Sequence, residues 1–133
     1  MKCKVITNNA SLIEDGALDQ FDIDEVIYMD TLDIIEVMKT VRNYIHKGYK
    51  LLTHPLSGSV KPVETPFKSV AISVDPTTLD MQSLTIMEDA IQMAEKFKRT
   101  ENRALTIPED ILDDFRLIDF GLIKSGLEGI NNF

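Results

Sequence analysis

Residues Glu25–Thr53 read EVIYMDTLDIIEVMKTVRNYIHKGYKLLT, and the spacing of their apolar residues changes twice along the way. Glu25–Met29 is a short β-type run that Asp30 ends. From Thr31 to Lys47, Ile34, Val37, Met38, Val41 and Ile45 fall at i, i+3, i+4, i+7 and i+11, one apolar stripe along a helix. Asp30 or Thr31 is the expected N-cap, with Asp33 in the first turn. Arg42, His46 and Lys47 put positive charge near the C-terminal end of the dipole, and Gly48 supplies the residue beyond it. Tyr49–Thr53 returns to a strand pattern. Strand, helix and strand in succession form the crossover that joins parallel strands, so the fold class reads as α/β.

Working outward toward the N-terminus, Lys4–Thr7 (KVIT) predicts a strand that Asn8 and Asn9 terminate. Residues 10–16 predict one or two helical turns stopped by Gly16, and 17–24 an acidic loop. In the other direction, Ser69–Val74 (SVAISV) predicts a fourth strand, stopped by Asp75-Pro76. No helical pattern separates it from the third, so an antiparallel pair or a long loop crossover is expected. Leu79–Arg99 predicts a helix with Leu84, Met87, Ile91 and Ala94 on one stripe and Ile86, Ala90, Met93 and Phe97 on another. Thr106-Ile-Pro-Glu109 has the form of a capping box opening a third helix. Ile111, Phe115, Ile118 and Leu122 make its apolar stripe, and its end is expected near Gly126 or Gly129. The expectation is one α/β domain over residues 1–133. It has a mainly parallel small sheet of about four strands, flanked by helices, with two helices at the C-terminus.

The charge balance, 14 basic against 22 acidic residues, gives −8 and argues against nucleic acid as a partner. A single cysteine, Cys3, rules out an internal disulfide and favours a reducing compartment. The start MKCKVITNN lacks a signal-peptide core, and no apolar run approaches the roughly 18 residues of a membrane span. A soluble cytoplasmic protein is expected, with self-association left open.

Between the third and fourth strands lies Leu51–Lys68, LLTHPLSGSVKPVETPFK, where Pro55, Pro62 and Pro66 restrict the backbone and Gly58 permits a turn. In open α/β sheets ligands bind at the carboxyl ends of the strands. Those ends present Asn8, Asn9, Asp30 and Thr31, then Thr53, His54, Ser57 and Ser59. The amides around Ser57-Gly58-Ser59 suit an anion-binding nest, and Lys61 adds positive charge. The candidate binding set is therefore Asn8, Asn9, Thr53, His54, Ser57, Gly58, Ser59 and Lys61, for a small carboxylate or phosphate. The competing reading is that polar residues end strands because the chain must turn there.

His54 with Ser57 or Ser59 is the candidate catalytic set, a general base and nucleophile for a small hydrolase or transferase. No G-x-S-x-G elbow accompanies it, and a ring that hydrogen-bonds the loop backbone is the preferred role. His46, His54 and Cys3 follow no zinc spacing, so no metal is expected. Neither a P-loop nor a dinucleotide fingerprint is present, and no cofactor is expected.

The run YIHKGYKLLTHPLSGSVKPVETPFKSV, together with KVITNN and VMKTVRNYIHKGYKLLTHPL, resembles the GrdX family. Its members are small proteins encoded beside components of glycine, sarcosine or betaine reductase in amino-acid-fermenting anaerobes. The resemblance implies a cytoplasmic accessory protein of a reductive amino-acid pathway, with a reductase subunit or a small anionic metabolite as partner. It carries over no activity and no catalytic residues, so a non-enzymatic binding role is preferred.

Overall fold

The computed structural model describes residues 2–56, 65–101 and 107–131. Its elements in chain order are β1 (Cys3–Thr7), a single 3-10 turn (Ala10–Ile13), β2 (Ile23–Tyr28), α1 (Ile34–His46), β3 (Ser69–Ile72), α2 (Met81–Glu101) and α3 (Glu109–Asn131).

β1 is the middle strand of a three-stranded sheet ordered β2-β1-β3. β2 lies parallel to it, with Val5 opposite Val26, and β3 antiparallel, with Val5 opposite Ala71. The sheet is thus mixed and smaller than the expected mainly parallel sheet of four strands.

The missing strand is Tyr49–Thr53. It runs antiparallel along the outer edge of β3, as one of the two expected arrangements had it, but forms a single bridge, Leu51 to Ile72. The reason lies in side chains that substitute for the ladder. Lys50 and Leu51 donate their N–H groups to the hydroxyls of Ser73 and Ser83, and Ala71 N–H goes to Thr53 Oγ1. Two backbone bonds remain, Leu52 N–H to Ala71 and Ser73 N–H to Lys50. The segment keeps strand direction without strand regularity.

α1 begins three residues later than the pattern predicts. Thr31 Oγ1 accepts the Asp33 N–H, and Asp33 in turn caps the helix by accepting the Ile35 N–H. Three polar residues within four positions offered alternative caps, and the last one serves. Gly48 ends the helix region at φ +102°, where a Cβ would stand 2.1 Å from the Thr77 carbonyl oxygen. Only glycine fits there.

Period-2 alternation divides the core in two. Ile6, Val70 and Ile72 point to one face, where Ile34, Val37, Met38, Val41 and Ile45 of α1 and Met87, Ile91 and Ala94 of α2 cover them. Cys3, Val5 and Ala71 point to the other, beneath Leu12, Leu18, Ile123 and Leu127. Burial pushes the Cys3 thiol above its ordinary value and suits it to packing rather than reaction.

α3 departs most from expectation. The predicted stripe of Ile111, Phe115, Ile118 and Leu122 is not the buried one, and Ile111 and Ile118 are exposed. The buried side is Leu112, Asp119, Ile123 and Leu127. The helix also runs through Gly126 and Gly129 to Asn131 instead of ending there. A Cβ at position 126 would come within 2.9 Å of Thr53 Cγ2, so the glycine lets α3 lie close against the Leu51–Thr53 segment. Thr106 of the expected capping box lies outside the described residues; the Pro108 carbonyl accepts the Ile111 and Leu112 N–H groups at the helix start. Among the described residues, no helix is long and apolar enough to cross a membrane.

Candidate functional site

Because β3 is antiparallel to β1, its first residues meet the carboxyl ends of β1, β2 and the Leu51–Thr53 segment at one edge. Asn8, Asn9, Thr53 and His54 are gathered there as expected from the sequence. Ser57, Gly58, Ser59 and Lys61 lie outside the described residues.

Asn8 and Asn9 do different work. Asn8 donates to the carbonyls of Thr31 and Pro66 and accepts the Lys68 N–H, so its amide ties the segment after β2 to the one before β3. Those three bonds leave it no N–H to offer a ligand. Asn9 accepts the Ser11 N–H and donates to the Arg116 carbonyl and to the Asp119 carboxylate, at 2.9 and 3.0 Å.

Asp119 is the centre of the cluster. Its Oδ2 also accepts from Ser69 Oγ at 2.7 Å. Since the Ser69 proton goes to the carboxylate, the 2.7 Å contact between Ser69 and Thr7 is a Thr7 hydroxyl donating to Ser69 Oγ. Thr7 Oγ1 in turn accepts the Asn9 N–H. The result is a closed chain of donors ending on one carboxylate oxygen. Burial holds the Asp119 carboxyl above its ordinary value, against the pull of Ser69, Asn9 and Lys68.

Lys68 is the cation of this edge. Only 9% of it is exposed, and among the described residues no carboxylate lies within ion-pair distance of its amine. Burial lowers its pKa, and the Asp119 charge partly offsets that shift. Thr53, His54, Lys68, Ser69 and Asp119, with Leu122 and Ile123, enclose a cavity of about 10 Å³. That is room for about one water.

His54 stands exposed on the wall of this cavity. Its Nδ1 accepts the Leu56 N–H at 3.0 Å, which puts the ring proton of the neutral imidazole on Nε2. In that tautomer the free nitrogen is a donor, suited to an anion and not to taking a proton from a hydroxyl.

A second concavity, about 510 Å³, lies between the 3-10 turn and α3. Glu14, Asp15, Asp113 and Asp114 outnumber Arg116 along it, a charge pattern that repels anions. Among the described residues no group of three or more His, Cys, Asp or Glu side chains is placed to hold a metal ion.

Lys68, Ser69, Thr7 and Asp119 were absent from the sequence-based set. Lys68 had a signal, since it directly precedes a run that is buried throughout, SVAI. Asp119 had one too: it is the polar residue on the 112, 119, 123 and 127 stripe of α3.

A family model described as GrdX-like protein matches residues 4–128. No curated protein and no solved structure matches the chain. With nearly its whole length matched, the chain belongs to the GrdX-like protein family.

Proposed function

We propose that this member of the GrdX-like family is an accessory binding protein that takes a small carboxylate or phosphoryl anion at the carboxyl edge of its sheet. The observation that carries the reading is Lys68: a buried ammonium with no ion-pair partner among the described residues, set where strand ends converge. A charge so desolvated is costly unless an anion compensates it. His54 adds an Nε2–H donor on the cavity wall, and the Ser69 and Asn9 donors near the same point are held by Asp119 in this structure. The His54 tautomer favours this role over the small hydrolase or transferase alternative, in which the ring would have to accept a proton.

The pathway implied by the resemblance supplies a ligand panel of glycine, sarcosine, betaine, acetyl phosphate and phosphate. Ligand binding to the native state raises the melting temperature by mass action. Wild type is expected to shift with at least one of these, and Lys68→Met to lose the shift, whereas Lys61→Ala serves as the comparison cation. A shift that survives in Lys68→Met overturns the site. No shift with any compound overturns small-anion binding and leaves a reductase subunit as the partner to test by pull-down.

A further inference from the structure

The anion-binding reading leaves a question of space. The cavity beside Lys68 holds about one water, yet the neutral donors that an anion would use are already paired. They are paired to a carboxylate. Ser69 Oγ and Asn9 Nδ2 both donate to Asp119 Oδ2, and Asp119 is also the charge that acts on the Lys68 amine.

We propose that Asp119 is the internal occupant of this anion site, and that an incoming anion binds by displacing its carboxylate and loosening the middle of α3 from the sheet edge. The proposal rests on the anion-binding reading above and adds how that site is regulated. Two carboxylate-like charges cannot share one buried cation and two donors without mutual repulsion, so ligand and Asp119 are competitors. The geometry makes Asp119 displaceable in a way an apolar residue would not be. Near it α3 is held by polar contacts, Asn9 to the Arg116 carbonyl and the Arg116 guanidinium 5.1 Å from the Phe67 ring centre, beside the half-buried Phe120 that packs against the apolar core. Farther along, Ile123 and Leu127 are buried in the apolar core and Gly126 lies against Thr53, which keeps that half of the helix in place.

The groups facing Asp119 are Lys68 and Ser69 at the start of β3, Thr7 and Asn9 at the end of β1, and Thr53 and His54 across the cavity. On its own helix Arg116 carries a guanidinium paired with Glu109 and Asp113. Of these, Asp119 is the acid whose neutralisation would free the site while Lys68 stays protonated. Burial already pushes that carboxyl upward, which brings its neutralisation nearer to mild acidity.

Sulfate is the probe, because its charge is constant from mild acid to neutral pH. Isothermal titration should show wild-type affinity for sulfate rising as pH falls, and Asp119→Asn binding roughly tenfold tighter at neutral pH with a flat profile. His54→Gln should keep the wild-type pH dependence, which separates Asp119 from the imidazole. Hydrogen exchange on wild type should show sulfate speeding exchange around Asp119 in α3 and not in α1. If Asp119→Asn does not fold, the wild-type and His54→Gln pH profiles decide. Flat profiles, or an Asp119→Asn variant that binds no tighter, overturn displacement; if Lys68→Met still abolishes binding, the anion site itself stands. Absence of sulfate binding in wild type at every pH overturns both.

Discussion

The two faces of the sheet are built by different rules. Over Ile6, Val70 and Ile72 lie two helices whose buried residues are apolar except for Ser83 in the first turn of α2, with Val37, Met38, Val41 and Ile45 of α1 fully inaccessible. Over Cys3, Val5 and Ala71 lies α3, which buries Leu112, Ile123 and Leu127 but sets a carboxylate in their midst. Apolar burial holds the first face without regard to direction or pH. The second depends on donors being aimed at one oxygen, so it responds to the ionisation of that carboxyl, to a competing anion or to a single amide substitution. A fold that keeps one face insensitive can leave the other responsive.

The contrast can be broken most forcefully at Ile45. Ile45→Ala is expected to lose about 2–5 kcal/mol in denaturant unfolding, by the same amount at every pH. Asp119→Ala comes next. It strands the Ser69 and Asn9 donors and deprives Lys68 of its only nearby negative charge among the described residues, at roughly 1–3 kcal/mol. Hydrogen exchange should then rise in α3 and stay low in α1; an equal rise in both would mean the two faces open as one unit.

A subtler comparison uses pH. The folded Asp119 carboxyl titrates above its ordinary 3.8, so its favourable contribution is complete below that value and is lost as pH rises through the raised one. Lys68 titrates below its ordinary 10.5 when folded, so its contribution is complete only above that value and is lost as pH falls through the lowered one. The stability of wild type relative to Asp119→Asn should therefore decline from pH 3.8 upward until Asp119 is ionised, while Ile45→Ala shows no such difference from wild type. The smallest effect belongs to Lys4, whose amine meets Asp24 and Glu25 on the open edge of β2. Lys4→Gln should change the melting temperature least, and any change should vanish in high salt.

α1 was legible because five apolar residues repeat without a polar intruder, so one face could be chosen from spacing alone. α3 was not, because two stripes compete along it. The one through 111, 115, 118 and 122 contains no charge, and the one through 112, 119, 123 and 127 contains Asp119. Hydrophobicity selects the first, yet the fold buries the second, since Asn9 and Ser69 satisfy the carboxylate from 110 and 50 residues away. Local periodicity carries no trace of partners that distant. The same limit applies at the sheet edge. Strand-end logic found Asn8, Asn9, Thr53 and His54, but Lys68 and Ser69 joined them only because β3 runs antiparallel and enters at that edge. For Tyr49–Thr53 the pattern left two arrangements open and missed the interruption, because Ser73, Ser83 and Thr53 hydroxyls took over ladder bonds.

The central place of β1 bears on how the chain is made. A ribosome produces β1 before either of its neighbours, and the residue that closes its far end, Asp119, comes 110 residues after Asn9. At ordinary elongation speeds that interval is roughly 5–20 s. Until α3 emerges the nascent chain carries an apolar strand whose second face is covered only in part, by Leu12 and Leu18, although α1 and α2 can already shelter the first. Slow, non-local closure of this kind exposes a chain to association with others. Production of the protein should therefore be more sensitive to truncations that remove α3 than the modest energy of its polar contacts suggests.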